Sequence, residues 1–169
     1  ENMGMMLTTK SWLKQGRWQI RRRLTAWRWG ATRLESMPIV FANAMPKSGS
    51  HLITQVLQGL TRIGPFVNPG FPPVNRGEDN RKMPESIILK NLQRMRPGDI
   101  SYGYLSARQP FLPVLTGPGR ATIFIYRDPR DLVVSHVYYA TMMHAGHWMH
   151  RYYTQELKTM EERLNAAIQ

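Results

Sequence analysis

Residues 39–52 read Ile-Val-Phe-Ala-Asn-Ala-Met-Pro-Lys-Ser-Gly-Ser-His-Leu, and the predicted fold is organised around them. The apolar start of this stretch predicts a buried β-strand, and apolar residues at helical spacing follow His51. A tight loop between them holds one lysine, Lys47, and one glycine, Gly49. A strand, a tight loop and a helix favour phosphate binding, because loop N–H groups and the helix N-terminus point at an anion.

A second turn of this kind occurs later in the chain. Residues 121–126 are β-branched and aromatic, and they predict the clearest strand in the sequence. Arg127 follows directly, and Asp128 then suits a helix N-cap while Pro129 suits the first helical position. Asp131 lies where a capping box places a carboxylate. We therefore expect both aspartates to have a structural role.

The other segments predict a sheet with helices around it. Pro84 opens a helix, residues 100–104 alternate as in a short strand, and Thr159 with Glu162 caps a last helix. Strands that alternate with helices predict an α/β fold, in which a mostly parallel, doubly wound sheet is flanked by helices in three layers.

Composition restricts the possible partners. The 169 residues contain no cysteine, which excludes disulfides and thiolate metal sites, and no apolar run approaches the ~20 residues of a membrane-spanning helix. The net charge is +12, and residues 1–34 hold eight of the 23 Lys and Arg residues with Glu1 as their one acid. This uneven charge favours anionic partners: phosphates, acidic lipid or nucleic acid.

The chain divides before Pro38, because a residue that precedes proline resists helix. We expect a basic, Trp-rich helical segment at residues 1–36 and the main domain at residues 37–169. The first segment has two interpretations: residues 10–33 lie on an anionic membrane surface, or the helix packs on the domain with a solvated basic face. Its apolar residues at helical spacing are Leu13, Gly16, Ile20, Leu24 and Trp27.

The loop at Lys47 is not a Walker A loop, in which lysine follows the last glycine, because Lys47 precedes Gly49. Pro-Lys-Ser-Gly followed by two polar residues instead resembles the 5′-phosphosulfate loop of sulfotransferases that use 3′-phosphoadenosine-5′-phosphosulfate (PAPS). Residues 127–135, Arg-Asp-Pro-Arg-Asp-Leu-Val-Val-Ser, resemble the 3′-phosphate motif of the same family. The resemblance covers roughly residues 39–135, and it implies a P-loop-like fold.

The resemblance also implies roles for individual residues. Sulfuryl transfer depends mainly on positioning and charge stabilisation, so Lys47 would steady charge on the transferring sulfonate. Ser135 must face the same crevice as Arg127 if both are to bind the 3′-phosphate. No metal is implied. The implied cofactor-binding residues are Lys47, Ser48, Gly49, Ser50, His51, Leu52, Arg127 and Ser135.

The general base is where the chain departs from the family. Tyr104 occupies the position at which many members carry a histidine, and a tyrosine with a pKa near ~10 is a poor base at neutral pH. Four explanations stay open. His51 or another histidine acts as the base, the acceptor ionises easily without one, or catalysis is weak. Tyr104 could equally be an aromatic residue of the core. Four further histidines form a group without a carboxylate, so we expect acceptor-site or surface roles rather than a metal site. They are His136, His144, His147 and His150.

The resemblance implies an enzyme that transfers sulfonate from PAPS to a hydroxyl or amine of a small-molecule, glycan or lipid acceptor. We expect it to be cytoplasmic and to have no nucleic-acid partner. The family continues with another strand and a basic loop, so we expect the C-terminal part of the domain to be missing from this chain. The alternatives are a PAPS-binding module without turnover, a P-loop kinase or NTPase, and a basic membrane- or nucleic-acid-binding protein.

Overall fold

The computed structural model describes residues 2–70, 74–77 and 81–169, and it describes side chains from Leu13 onward. Two π-helical turns cover Tyr139–Met143 and Tyr152–Glu156. The strands are β1 (Ile39–Ala44), β2 (Ile100–Gly103) and β3 (Arg120–Ile125). The helices are α1 (Asn2–Trp29), α2 (Ala31–Glu35), α3 (Ser50–Ile63), α4 (Glu85–Gln93), α5 (Phe111–Leu115), α6 (Pro129–Tyr138) and α7 (Met160–Ile168).

The chain forms two compact units. The first contains the described residues up to Ala44 and those from Ser50 to Ile125, and the second contains Met45–Gly49 and Tyr126–Gln169. The N-terminal helices α1 and α2 belong to the same unit as the sheet.

The first unit is built on a three-stranded parallel sheet in the order β2-β1-β3. Successive side chains of β1 point to opposite faces. Phe41 packs with apolar residues of α4 and α5, whereas Val40 and Ala42 pack with Ile53 and Leu57 of α3. Helices therefore cover both faces of the sheet, and the predicted α/β class with a parallel sheet is confirmed.

A buried polar cluster holds helix α1 against the rest of the first unit. The side chain of Asp99 is fully buried, and its Oδ1 accepts hydrogen bonds from Trp18 Nε1 (3.0 Å) and Arg22 Nη1 (2.9 Å). Arg22 also donates to the carbonyl of Pro97 (2.9 Å) and to Glu35 Oε1 (2.9 Å). The helix packs on the domain through this polar face, and the apolar residues grouped by the sequence pattern are exposed instead.

The second unit contains two of the helix starts that the sequence predicts. Asp128 Oδ1 accepts a hydrogen bond from the N–H of Arg130 (2.9 Å), and Pro129 begins α6. Thr159 and Glu162 form the predicted capping box at α7. The core of this unit joins these elements through Val137, Ala140 and Tyr153, with partly buried residues of α7 packed against them.

None of the helices in the described part of the chain is both long and apolar enough to cross a membrane.

Candidate functional site

The two motifs that the sequence predicts to bind phosphate follow strands that are direct neighbours. β1 and β3 pair in parallel up to Ala44 and Ile125, and the loop Met45–Gly49 follows the first of these while Arg127 closely follows the second. The chain runs from β1 to β2 on one side and then to β3 on the other. Ligands of open α/β sheets bind beyond the carboxyl ends of the strands where the order reverses in this way.

The loop after β1 is a tight turn with a strained lysine. The N–H and the Oγ of Ser48 both donate to the carbonyl of Met45, at 3.1 and 2.7 Å. Pro46 and Lys47 occupy the two central positions, and Lys47 has a φ of 67° where a type II turn normally places glycine. Among the described residues no other non-glycine has a positive φ. Such a conformation costs about 1–2 kcal/mol, and strain of this kind is concentrated at functional sites.

The turn leads through Gly49, with a φ of 111°, into the first residue of α3. The first turn of this 14-residue helix carries no acidic side chain. Its N–H groups lack helical partners and lie at the positive end of the helix dipole, so they favour an anion. Ser50 is half-buried, and His51 and Leu52 are exposed in this turn, which belongs to the first unit.

The ammonium of Lys47 lies against an aromatic ring in the second unit. Its Nζ is 2.8 Å from the centroid of Tyr139, which is a cation–π contact. Partial burial lowers the pKa of Lys47. Tyr139 was not among the residues predicted from the sequence. Its one signal is its position four residues after Ser135, which places both on one side of a helix. The contact fixes the direction of the lysine side chain.

Arg127 and Ser135 lie in the second unit with the Lys47 turn. The Arg127 side chain is about half exposed, and its Nε is 3.5 Å from the carboxylate of Asp131. Exposed ion pairs contribute about 0–1 kcal/mol, so Arg127 can leave this carboxylate for another anion at little cost. Ser135 is half-buried within α6. Five of the eight residues predicted to bind the nucleotide therefore belong to a single compact unit: Lys47, Ser48, Gly49, Arg127 and Ser135.

The histidines predicted as a group also lie in this unit. The ring centroids of His136 and His147 are 5.1 Å apart, and the Tyr139 ring lies 5.5 Å from His144 and 6.1 Å from His147. Burial lowers the pKa of His147, and nearby positive charges lower this pKa further; they belong to His136, His144, Lys47 and His150. The described part of the chain contains no group of three or more His, Asp or Glu side chains placed to hold a metal ion.

Backbone contacts distinguish two of these histidines. His147 Nδ1 accepts a hydrogen bond from the N–H of Met149 (3.2 Å), so the neutral ring carries its proton on Nε2 and can donate from that atom. His150 Nδ1 lies 2.8 Å from the carbonyl of Ala140, which can only accept. The proton of neutral His150 is thus assigned to Nδ1, and Nε2 keeps the lone pair that can take up a proton.

Tyr104, at the expected position of the base, lies in the first unit just after β2. The side chain of Asn75 holds its backbone, accepting from its N–H (3.2 Å) and donating to its carbonyl (3.1 Å). The next residue, Leu105, is held in the same way by the buried Asn43, at 2.8 and 2.7 Å. The Tyr104 ring is half-buried and edge-on to Tyr102, with 6.3 Å between the ring centroids.

No protein-family model, curated protein or solved structure matches this chain significantly.

Proposed function

We propose that this chain is a sulfotransferase domain with a P-loop-like fold, which binds PAPS and transfers its sulfonate to a hydroxyl or amine of an acceptor. One observation carries the proposal. The Lys47 turn and the Arg127–Ser135 motif follow directly paired strands and lie in one compact unit. Two anion-binding motifs in this order suit a nucleotide that is phosphorylated at both its 3′ and 5′ positions.

The residues present fit the charges of PAPS. A tight turn that enters a helix without an acid in its first turn suits the 5′-phosphosulfate, because backbone N–H groups and the helix dipole attract it. An arginine suits the 3′-phosphate because its planar fork can donate to two oxygens at once. Arg127 is weakly held by Asp131, so its guanidinium is available for that role.

Bound PAPS would supply an activated sulfonate and an anionic leaving group. Lys47 would stabilise the negative charge that builds up between them, with its ammonium oriented by the ring of Tyr139. The free N–H groups in the first turn of α3 favour an anion such as the 5′-phosphate. The Nε2–H of neutral His147 is a further donor for an anionic oxygen.

A general base must accept the proton of the acceptor hydroxyl. We assign this role to His150 rather than to Tyr104 or His51. A carbonyl holds Nδ1–H of His150, so Nε2 would receive the proton that the acceptor hydroxyl gives up. His150→Ala should lower the transfer rate by about 10²–10⁴-fold without weakening bisphosphate binding. Tyr104→Phe is the matched control, and a large rate loss in this variant with none in His150→Ala would reverse the assignment.

A second candidate function is a PAPS-binding module without turnover. It is favoured by Tyr104, which stands where the resembled family places its base. A P-loop kinase or NTPase fits less well, because Lys47 precedes Gly49 instead of following it.

The test is a transfer assay with PAPS and a panel of hydroxyl and amine acceptors. We expect release of adenosine 3′,5′-bisphosphate together with sulfonated acceptor. Lys47→Ala should lower the rate by about 10²–10³-fold, whereas the exposed Lys90→Ala should not change it. Nucleotide binding without transfer to any acceptor would favour the binding module, and absence of both would contradict the proposal.

A further inference from the structure

Helix α1 has an exposed apolar stripe on the side opposite its packed face. The packed face contains Trp18 and Arg22, whose side chains are buried at Asp99. Successive residues of an α-helix are rotated by about 100° around its axis. On this projection, four apolar side chains lie within about 40° of one common direction, which is about 180° from the direction of Arg22. They are Leu13, Ile20, Leu24 and Trp27, which are 65, 57, 60 and 87 % exposed.

Arginines border this stripe on both sides. On the same helical projection, Arg17 and Arg28 follow one edge and Arg23 follows the other. The sequence of α1 contains no acidic residue. Arginine stems can cover apolar surface while their guanidinium groups stay in the polar layer above it. An apolar stripe with cationic edges and a tryptophan is typical of helices that lie in the membrane interface.

We propose that α1 binds the surface of an anionic lipid bilayer, with this stripe in the interface and its arginines among the headgroups. Charge complementarity selects this occupant. A second copy of the helix would bring arginines against arginines, and a nucleic acid would leave the apolar stripe in water. The anchor at Asp99 supports the proposal because it turns the apolar face away from the sheet.

The proposal does not depend on the proposed function, since it uses none of the nucleotide-binding residues. The exposed position of the stripe also makes it testable without unfolding the protein. The sequence suggested membrane contact for residues 10–33, and the stripe proposed here uses the side chains of this range that the structure describes, from Leu13 onward.

The test is co-sedimentation of the whole chain with phosphatidylcholine vesicles, with or without phosphatidylglycerol. We expect binding to the anionic vesicles that weakens as salt is raised. Trp27→Ser should weaken this binding by about tenfold, since it removes a large apolar side chain from the interface. Arg17→Gln and Arg23→Gln should each weaken it by about fivefold.

Trp148→Ser is the matched control, because Trp148 is 81 % exposed but lies in the other unit. It should bind vesicles as the unchanged chain does, and thermal unfolding should be the same for all variants. Three results would overturn the proposal: no binding to anionic vesicles, equal binding by Trp27→Ser, or self-association that Trp27→Ser abolishes. Preferential binding to a nucleic acid, lost on Arg23→Gln, would also overturn it.

Discussion

Replacing Asp99 by asparagine removes a negative charge from a fully buried site and keeps nearly the same shape. The carboxylate accepts hydrogen bonds from Trp18 Nε1, Arg22 Nη1 and the N–H of Arg96, at 3.0, 2.9 and 2.8 Å. An asparagine has one acceptor and one donor atom there, so at least one of these donors loses its partner. The guanidinium of Arg22, which is 4 % exposed, loses its buried counter-charge.

The structure sets the expected size of the effect. Removing one partner of a buried ion pair costs about 3–5 kcal/mol, since the other charge stays buried without compensation. Arg22 keeps its second contact, Nη2 to Glu35 Oε1 at 2.9 Å, but the Glu35 side chain is 51 % exposed. We therefore expect Asp99→Asn to lower the free energy of unfolding by about 3 kcal/mol, at the lower end of that range.

Urea unfolding of four proteins measures this loss and its origin: the unchanged chain, Asp99→Asn, Arg22→Met and the double variant. The free energy of unfolding should fall clearly less in the double variant than the sum of the two single decreases. The reason is that Arg22→Met removes the buried positive charge that Asp99→Asn leaves without a partner. Asp131→Asn is the control, since its exposed contact with Arg127 contributes about 0–1 kcal/mol. If Asp99→Asn lowered the free energy of unfolding by less than about 1 kcal/mol, the buried ion pair with Arg22 would not stabilise the packing of α1.

Three further predictions concern single residues. Asn43→Leu should lower the free energy of unfolding in urea by about 2–4 kcal/mol, because the N–H and C=O of Leu105 stay buried without partners; a loss below about 1 kcal/mol would contradict this. Lys47→Gly should change the same quantity by less than about 1 kcal/mol, because relief of the positive φ offsets the lost contact with Tyr139. It should still lower the rate of sulfonate transfer by about 10²–10³-fold, and a normal transfer rate would contradict the role of the lysine. The free energy of unfolding should fall as the pH drops below 6.5, the ordinary pKa of imidazole, because His147 binds a proton more readily in the unfolded state than in the folded state. This fall should be smaller in His147→Gln, and an unchanged pH profile in that variant would contradict the prediction.

Local features of the fold could be predicted from the sequence because their causes are local. The caps at Asp128 and Thr159 each bind an N–H two or three residues further on, so residue spacing alone reveals them. The strand at residues 39–44 is signalled by an apolar run, and its burial on both faces of the sheet explains why that run does not alternate.

Contacts between distant residues could not be predicted. Trp18 and Arg22 reach Asp99 across 81 and 77 residues, and no periodicity encodes such a pair. The apolar pattern of α1 indicated one face, but it could not show that a buried carboxylate would select the opposite face for packing. The positive φ of Lys47 runs against residue preference, so only the structure reveals it.

We propose that Arg127 and the Lys47 turn hold opposite ends of one doubly phosphorylated nucleotide. Calorimetric titration with adenosine 3′,5′-bisphosphate and with adenosine 5′-monophosphate tests it most directly. We predict that the unchanged chain binds the bisphosphate about 10–100-fold more tightly. Arg127→Ala should remove this preference, while Arg130→Ala, whose exposed side chain is bound to Asp128, should keep it. Equal affinity for the two nucleotides, or a preference that survives Arg127→Ala, would contradict the proposed role of Arg127 at the 3′-phosphate.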